Sequence, residues 1–206
     1  NTNPKQKEYD RLVSHPIQSW AWGQFRQKMG AQVDRFIIEK SAGEVFFYQL
    51  PLLPFTIGHC PKINFINQQL IDHLRFLGQK RHALFIKIEP HLLVNPQSEK
   101  KSTSLGLRRG REIFSQYTMI INLCQTEDQL LAGFTPKTRY NIKVANRHNV
   151  EVIEDNSQQG FNSYLNLLFE TTKRQGFYLH SRKYHQDLYK TLKNTGMIHI
   201  FLARFQ

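Results

Sequence analysis

Cysteine is nearly missing from this chain. Cys60 and Cys124, far apart in 206 residues, give neither a disulfide framework nor the paired spacing of a zinc site, so a reducing, intracellular compartment is expected. Long apolar runs are missing too: none approaches the roughly 20 residues needed to span a bilayer. The polar start, NTNPKQKEYD, holds no apolar signal-peptide segment and no initiator Met, so a soluble protein with a processed or truncated end is expected. Carboxylates are scarce, 16 against 28 Lys and Arg, for a net charge of +12. That balance points to acidic partners: nucleic acid, anionic lipid or phosphorylated substrates.

Recognisable catalytic fingerprints are also lacking. Gly106 and Gly110 fit neither a dinucleotide nor a P-loop spacing. There is no Gly-x-Ser-x-Gly elbow and no Ser-His-Asp arrangement that spacing alone supports. His180 and His185 lie five apart and match no metal pair; His148 and His199 have no ligating neighbours in sequence. No metal and no cofactor is expected.

What the chain does contain is alternating strand and helix patterns. Trp20, Trp22, Phe25 and Met29 recur at helical spacing before Gly30, with both Trp expected in the core. Residues 33–39 and 44–50 read as a hairpin around Ser41-Ala42-Gly43. Pro51, Pro54, Gly58 and Pro61 predict a loop over 51–64. Leu70, Ile71, Leu74 and Leu77 mark an amphipathic helix ending at Gly78. Leu84, Ile86 and Ile88 alternate with Phe85, Lys87 and Glu89 as a strand that Pro90 ends. Residues 95–111, with Lys100, Lys101, Arg108, Arg109 and Arg111, read as a basic solvated loop, and 117–123 as a buried strand. Thr126 opens a short helix. After Val150, Val152 and Ile153 comes a helix broken at Gly176, then one capped by Ser181, then an apolar strand over 198–205. A chain that stops there reads as the front part of a longer one.

One stretch stands out: Pro136 to Val152, PKTRYNIKVANRHNVEV, with no carboxylate between Leu130 and Val150. Pro136 suits the first turn of a helix. Arg139, Lys143, Asn146 and Arg147 then share one side. Uncompensated cations repel one another, and a phosphate-rich ligand would offset that cost; a solvated basic face is the plainer alternative. Glu89, at a strand end, is a candidate catalytic carboxylate, with pairing to Lys87 or another cation as its structural alternative.

Four phrases in this order, QSWAWGQFRQ, FIKIEP at 85–90, KTRYNIKVANRHNVEV at 137–152 and LLFETTKRQGFYLHSRKYHQDL at 167–188, resemble the FemABX family. That resemblance implies an α/β (α+β) fold of tandem GNAT-like acyltransferase domains, the first over 1–149 and an incomplete second over 150–206. It implies a non-ribosomal peptidyl transferase that moves an amino acid from aminoacyl-tRNA to the stem-peptide amine of a lipid-linked or UDP-linked peptidoglycan precursor. The setting would be the cytoplasm, with peripheral contact at the inner membrane face compatible with it. Glu89 matches an acidic position near the acceptor site, and Lys137 and Arg139 match the basic phrase. Lys143 and Arg147 extend that phrase toward tRNA or precursor phosphates. Arg26 lies beside a precursor-phosphate-binding Lys of the family, and His199 falls where some members have a phosphate-binding Arg. Amine attack on an activated ester needs positioning, proton removal and oxyanion stabilisation, with no covalent nucleophile. A coenzyme A-dependent acyltransferase of the same fold and a non-catalytic RNA-binding module stay open as alternatives.

Overall fold

The structure, a computed structural model, describes residues 4–115 and 117–205. Its mixed α/β elements run in the order α1 (Gln6–Leu12), a 3-10 turn (Pro16–Gln18), α2 (Trp20–Lys28), β1 (Gln32–Ile38), β2 (Ser41–Gln49), β3 (Thr56–Ile63), α3 (Gln68–Lys80) and β4 (Ala83–Pro90). There follow α4 (Pro96–Ser104), α5 (Glu127–Gly133), α6 (Pro136–Arg147), β5 (Glu151–Glu154), α7 (Gln158–Gln175), α8 (Arg182–Leu192) and β6 (Phe201–Arg204). The chain forms two compact units, one of residues 1–114 with 186–197, the other of 115–185 with 198–206.

In the first unit β1 to β4 form one sheet in chain order. β1–β2 and β2–β3 are antiparallel, and β3–β4 is parallel. A parallel pair needs a long crossover, and α3 supplies it. Asn67 caps α3 by accepting the Leu70 N–H at 2.9 Å. The helix then buries Leu70, Leu74 and Leu77 against Phe36, Val45, Phe47, Cys60 and Ile63 of the sheet. Each such side chain contributes about 1.5–3 kcal/mol by leaving water.

Several predicted boundaries move. Ile38 pairs with Ser41, so the hairpin turn is Glu39-Lys40, with Glu39 at φ 53°. Gly43 instead lies inside β2, where a Cβ would meet Ile63 and Phe36 at 2.6 and 2.7 Å. The predicted loop over 51–64 is a loop only to Phe55. Thr56–Ile63 is an inner strand, with a register shift beside Pro61 that accommodates the missing N–H. Trp20 and Trp22 are half-buried; Ala21, Gly23 and Phe25 are the buried residues of α2. Leu84 is exposed, because β4 is an edge strand and only Ala83, Ile86 and Ile88 reach the core cluster.

The predicted loop over 95–111 contains helix α4. Asn95 and Ser98 form a reciprocal capping box and Pro96 takes the first turn, although nothing in α4 is buried. The predicted strand over 117–123 is not one. Tyr117, Met119 and Ile120 are 87%, 91% and 83% exposed. β-propensity needs a pairing partner to become a strand, and among the described residues none pairs with this run.

In the second unit β5 and β6 pair antiparallel, Glu151 with Arg204 through Glu154 with Phe201. The predicted apolar strand over 198–205 shortens to Phe201–Arg204 and has one neighbour, so Phe201 stays exposed while Ile200 is buried. Helix α7 buries Phe161 and Leu165, and Gly176 ends it in the left-handed conformation at φ 69°. Ser181 accepts the Tyr184 N–H at 3.3 Å to start α8.

Candidate functional site

The strand alternation of β4 sends Ile86 and Ile88 to the core and Lys87 and Glu89 to the other face. β3 does the same, with Cys60 inward, and sets His59 beside Lys87 in the parallel register. His59 and Glu89 therefore meet, with His59 Nε2 2.7 Å from Glu89 Oε2. The other carboxylate oxygen, Oε1, accepts the backbone N–H groups of Ile113 at 2.8 Å and Phe114 at 3.1 Å. The Phe114 ring stacks on His59 with centroids 5.8 Å apart and planes at 22°, and Lys62 Nζ lies 5.2 Å from the centre of that ring.

Three donors on one carboxylate decide its protonation. Burial raises the Glu89 pKa, but the Ile113 and Phe114 N–H groups and His59 outweigh it, and the carboxyl rests below its ordinary value. His59 is pushed below the ordinary imidazole value, first by burial and further by the charges of Arg26 and Lys87, against the pull of Glu89. Near neutral pH the pair is a carboxylate and a neutral imidazole. Glu89 is thus the fastener of residues 113–114 to β4, and its main-chain and His59 contacts replace the expected pairing with Lys87 or another cation.

Arg26, on α2, belongs to the same unit. Its Nε donates to the Tyr48 hydroxyl at 3.1 Å, Nη2 also donates there, and the guanidinium lies over the Tyr48 ring at 5.4 Å and the Phe46 ring at 5.9 Å. The four cations of α6 lie in the other unit. Thr135 caps that helix by accepting the Thr138 N–H at 3.3 Å. Lys137, Lys143 and Arg147 are exposed and Arg139 is half-buried, donating to the carbonyls of Ala132 at 3.4 Å and Phe134 at the end of α5. Lys137 does not share the side of the other three: two residues before Arg139 it lies about 200° around the helix. His199 is exposed, with Nδ1 2.7 Å from Glu154 Oε1 across the β5–β6 pair.

A second polar cluster escaped the sequence reading. Arg35 and Glu44 oppose each other in the β1–β2 register, and Nε and Oε2 lie 3.1 Å apart with the Glu44 side chain fully buried. Trp20 covers the guanidinium at 4.0 Å, and its carbonyl accepts from Arg35 Nη2 at 3.2 Å. Gln18 braces the Glu44 backbone, accepting the Glu44 N–H at 2.5 Å and donating to the Glu44 carbonyl at 3.3 Å and to the Pro61 carbonyl. Tyr9 donates its hydroxyl to the Gln18 carbonyl at 2.9 Å. This cluster is closed to solvent and organises α1, α2 and the sheet. Among the described residues no cluster of three or more His, Cys, Asp or Glu is placed to hold a metal, and no helix is long and apolar enough to cross a membrane.

Comparison with known proteins completes the picture. The FemAB family model matches residues 105–206. Lipid II:glycine glycyltransferase of Staphylococcus epidermidis is 23% identical over 231 residues, covering 99% of this chain and 55% of that protein. The proteins of the same name from Staphylococcus haemolyticus and Staphylococcus aureus are each 22% identical, over 99% and 96% of this chain. The crystal structure of FemX superposes on 99% of this chain and 57% of its own at a TM-score of 0.84 and 21% identity, so the two share a fold. The chain spans about half the length of the curated relatives it matches. Residues 105–206 of the chain thus match the FemAB family, and the whole chain is similar to the proteins named above.

Proposed function

We propose that the protein is an aminoacyltransferase of peptidoglycan cross-bridge synthesis, moving an amino acid from aminoacyl-tRNA to the stem-peptide amine of a lipid-linked or UDP-linked precursor. The observation that carries this reading is the similarity, over 99% of the chain, to proteins named for glycyl transfer to lipid II. The charge of +12 supports it, because both substrates are polyanions. In this reading residues 1–149 belong to a first acyltransferase-like domain and 150–206 open a second. The protein works in the cytoplasm, and contact with the inner membrane face brings it to a lipid-linked acceptor.

The reaction joins the amine nitrogen to the ester carbonyl carbon and releases the ribose hydroxyl. No covalent enzyme intermediate is required; proximity and charge placement carry the rate. Arg26 and the α6 cations Lys137, Arg139, Lys143 and Arg147 take phosphates, as point charges or forks that stay protonated at neutral pH. Glu89, tied by three donors, orients the acceptor side of the site. Incubation of the full-length protein with radiolabelled aminoacyl-tRNA and a muropeptide precursor tests the reading. Label in the precursor supports it; label that stays on tRNA, or is released as free amino acid, refutes it.

A further inference from the structure

We propose that His59, held by Glu89, accepts the proton of the acceptor amine during transfer, and that Glu89 acts through it as a positioning residue; this rests on the transferase reading above. The geometry specifies the tautomer. A carboxylate can only accept hydrogen bonds, so the 2.7 Å contact from His59 Nε2 to Glu89 Oε2 carries the proton on Nε2. The Nδ1 atom of the neutral ring then bears a lone pair. Glu89 cannot swing to another partner, because Ile113 and Phe114 hold its Oε1. Phe114 stacks on the imidazole with planes at 22°, so a ring contact and a carboxylate together orient it, as in a carboxylate-oriented catalytic base.

The charged surroundings favour the neutral ring. Lys87 on β4 and Arg26 on α2 both disfavour an imidazolium, Glu89 favours it, and burial disfavours it most; on β3, Lys62 stands over Phe114. A neutral imidazole of lowered basicity can take a proton from an amine as that nitrogen becomes positive in the tetrahedral intermediate. The nitrogen lone pair forms the C–N bond. The proton passes to Nδ1 and on to the ribose oxygen, which leaves with the C–O bond pair. Amine and ester thereby become amide and alcohol, with no other reactant.

The test uses the full-length protein. Long-range 1H–15N spectra of the wild type should show a neutral His59 protonated on Nε2 at pH 7. His59→Gln should lower kcat on the order of 10²–10⁴-fold, keep KM for both substrates within about threefold, and abolish the acid limb of the pH–rate profile. Glu89→Gln should lower kcat and move that limb, since Gln presents an N–H to His59 and upsets the tautomer. Unchanged thermal unfolding separates these effects from misfolding. A proton on Nδ1, or a His59→Gln variant that keeps wild-type kcat or loses it with the acid limb unmoved, overturns the proposal. A wild type that transfers nothing overturns the transferase reading, and the proton role with it; a wild type and a His59→Gln variant that transfer equally overturn the role of His59 alone.

Discussion

Arg35 and Glu44 face each other across the β1–β2 register with 3.1 Å between Nε and Oε2, at 6% and 0% side-chain exposure. A guanidinium and a carboxyl group so enclosed are expensive to separate and modest in net worth. Truncating one partner alone, Arg35→Met, should cost roughly 3–5 kcal/mol, whereas the double change Arg35→Met with Glu44→Leu should cost far less. Chemical denaturation of the two variants measures the difference. Gly23 lies against the same pair, and a Cβ there would collide with both Arg35 Nη2 and Glu44 Oε2. Gly23→Ala should therefore destabilise by about 1–3 kcal/mol.

The same pair makes stability depend on pH. Burial pushes the Glu44 carboxyl up to about 9 against the pull of Arg35. Between the ordinary carboxylate range and that value the folded chain keeps a proton that the unfolded chain has lost. The stabilisation is thus full below the unfolded value and declines as pH rises toward 9. Glu44→Gln should flatten this slope in unfolding curves taken between pH 5 and 9; an equal slope in both proteins would show that Glu44 titrates normally.

Glu89 gives the opposite sign. Its folded pKa is depressed, so its contribution is present above the unfolded value and is lost as pH falls through the folded one. Hydrogen bonds to a charged acceptor contribute about 1.5–3 kcal/mol each, so Glu89→Ala should reduce amide protection of Ile113 and Phe114 by roughly tenfold or more. Amide exchange in both proteins decides it, and unchanged protection would mean that residues 113–114 do not depend on Glu89.

Binding to polyanions should involve α6. Lys143→Ala and Arg147→Ala should each lower the salt slope of tRNA or precursor binding by nearly one unit. Arg139→Ala should in addition loosen the end of α5, where it donates to Ala132 and Phe134. If affinity and slope both stay at wild-type values for Lys143→Ala and Arg147→Ala, the stripe is a solvated face.

Helix α4 depends on its cap, having no buried residue. Asn95→Ala should cost about 1 kcal/mol of local stability, measurable as faster amide exchange within 98–104 and nowhere else.

Local chemistry was legible where one rule sufficed. The i, i+4, i+7 leucines announced α3, Thr126 announced α5, Pro136 announced α6, and Ile86 with Ile88 announced β4. Reading failed where a partner decides. Thr56–Ile63 carries Gly58 and Pro61, which read as breakers, yet it is an inner strand because β2 and β4 flank it. The run over 117–123 has strand composition and no partner among the described residues. Asn95-Pro96 was a helix start hidden in a basic stretch with no apolar face. In the site, Glu89 was visible from its place before Pro90. His59 was not, because the parallel β3–β4 register that joins it to Glu89 is set by the α3 crossover over 30 residues of sequence separation. Arg35 and Glu44 were hidden likewise, since only a hairpin turn at Glu39-Lys40 puts them opposite each other.

The most direct test of the transferase reading is the choice of acyl donor. The full-length protein would receive a muropeptide precursor with either aminoacyl-tRNA or the matching acyl-coenzyme A, and the mass of the precursor would be read after each. A mass increase of one amino-acid residue with aminoacyl-tRNA alone is the expected result. An increase with the coenzyme A thioester alone, or with neither donor, would place this chain outside tRNA-dependent transfer.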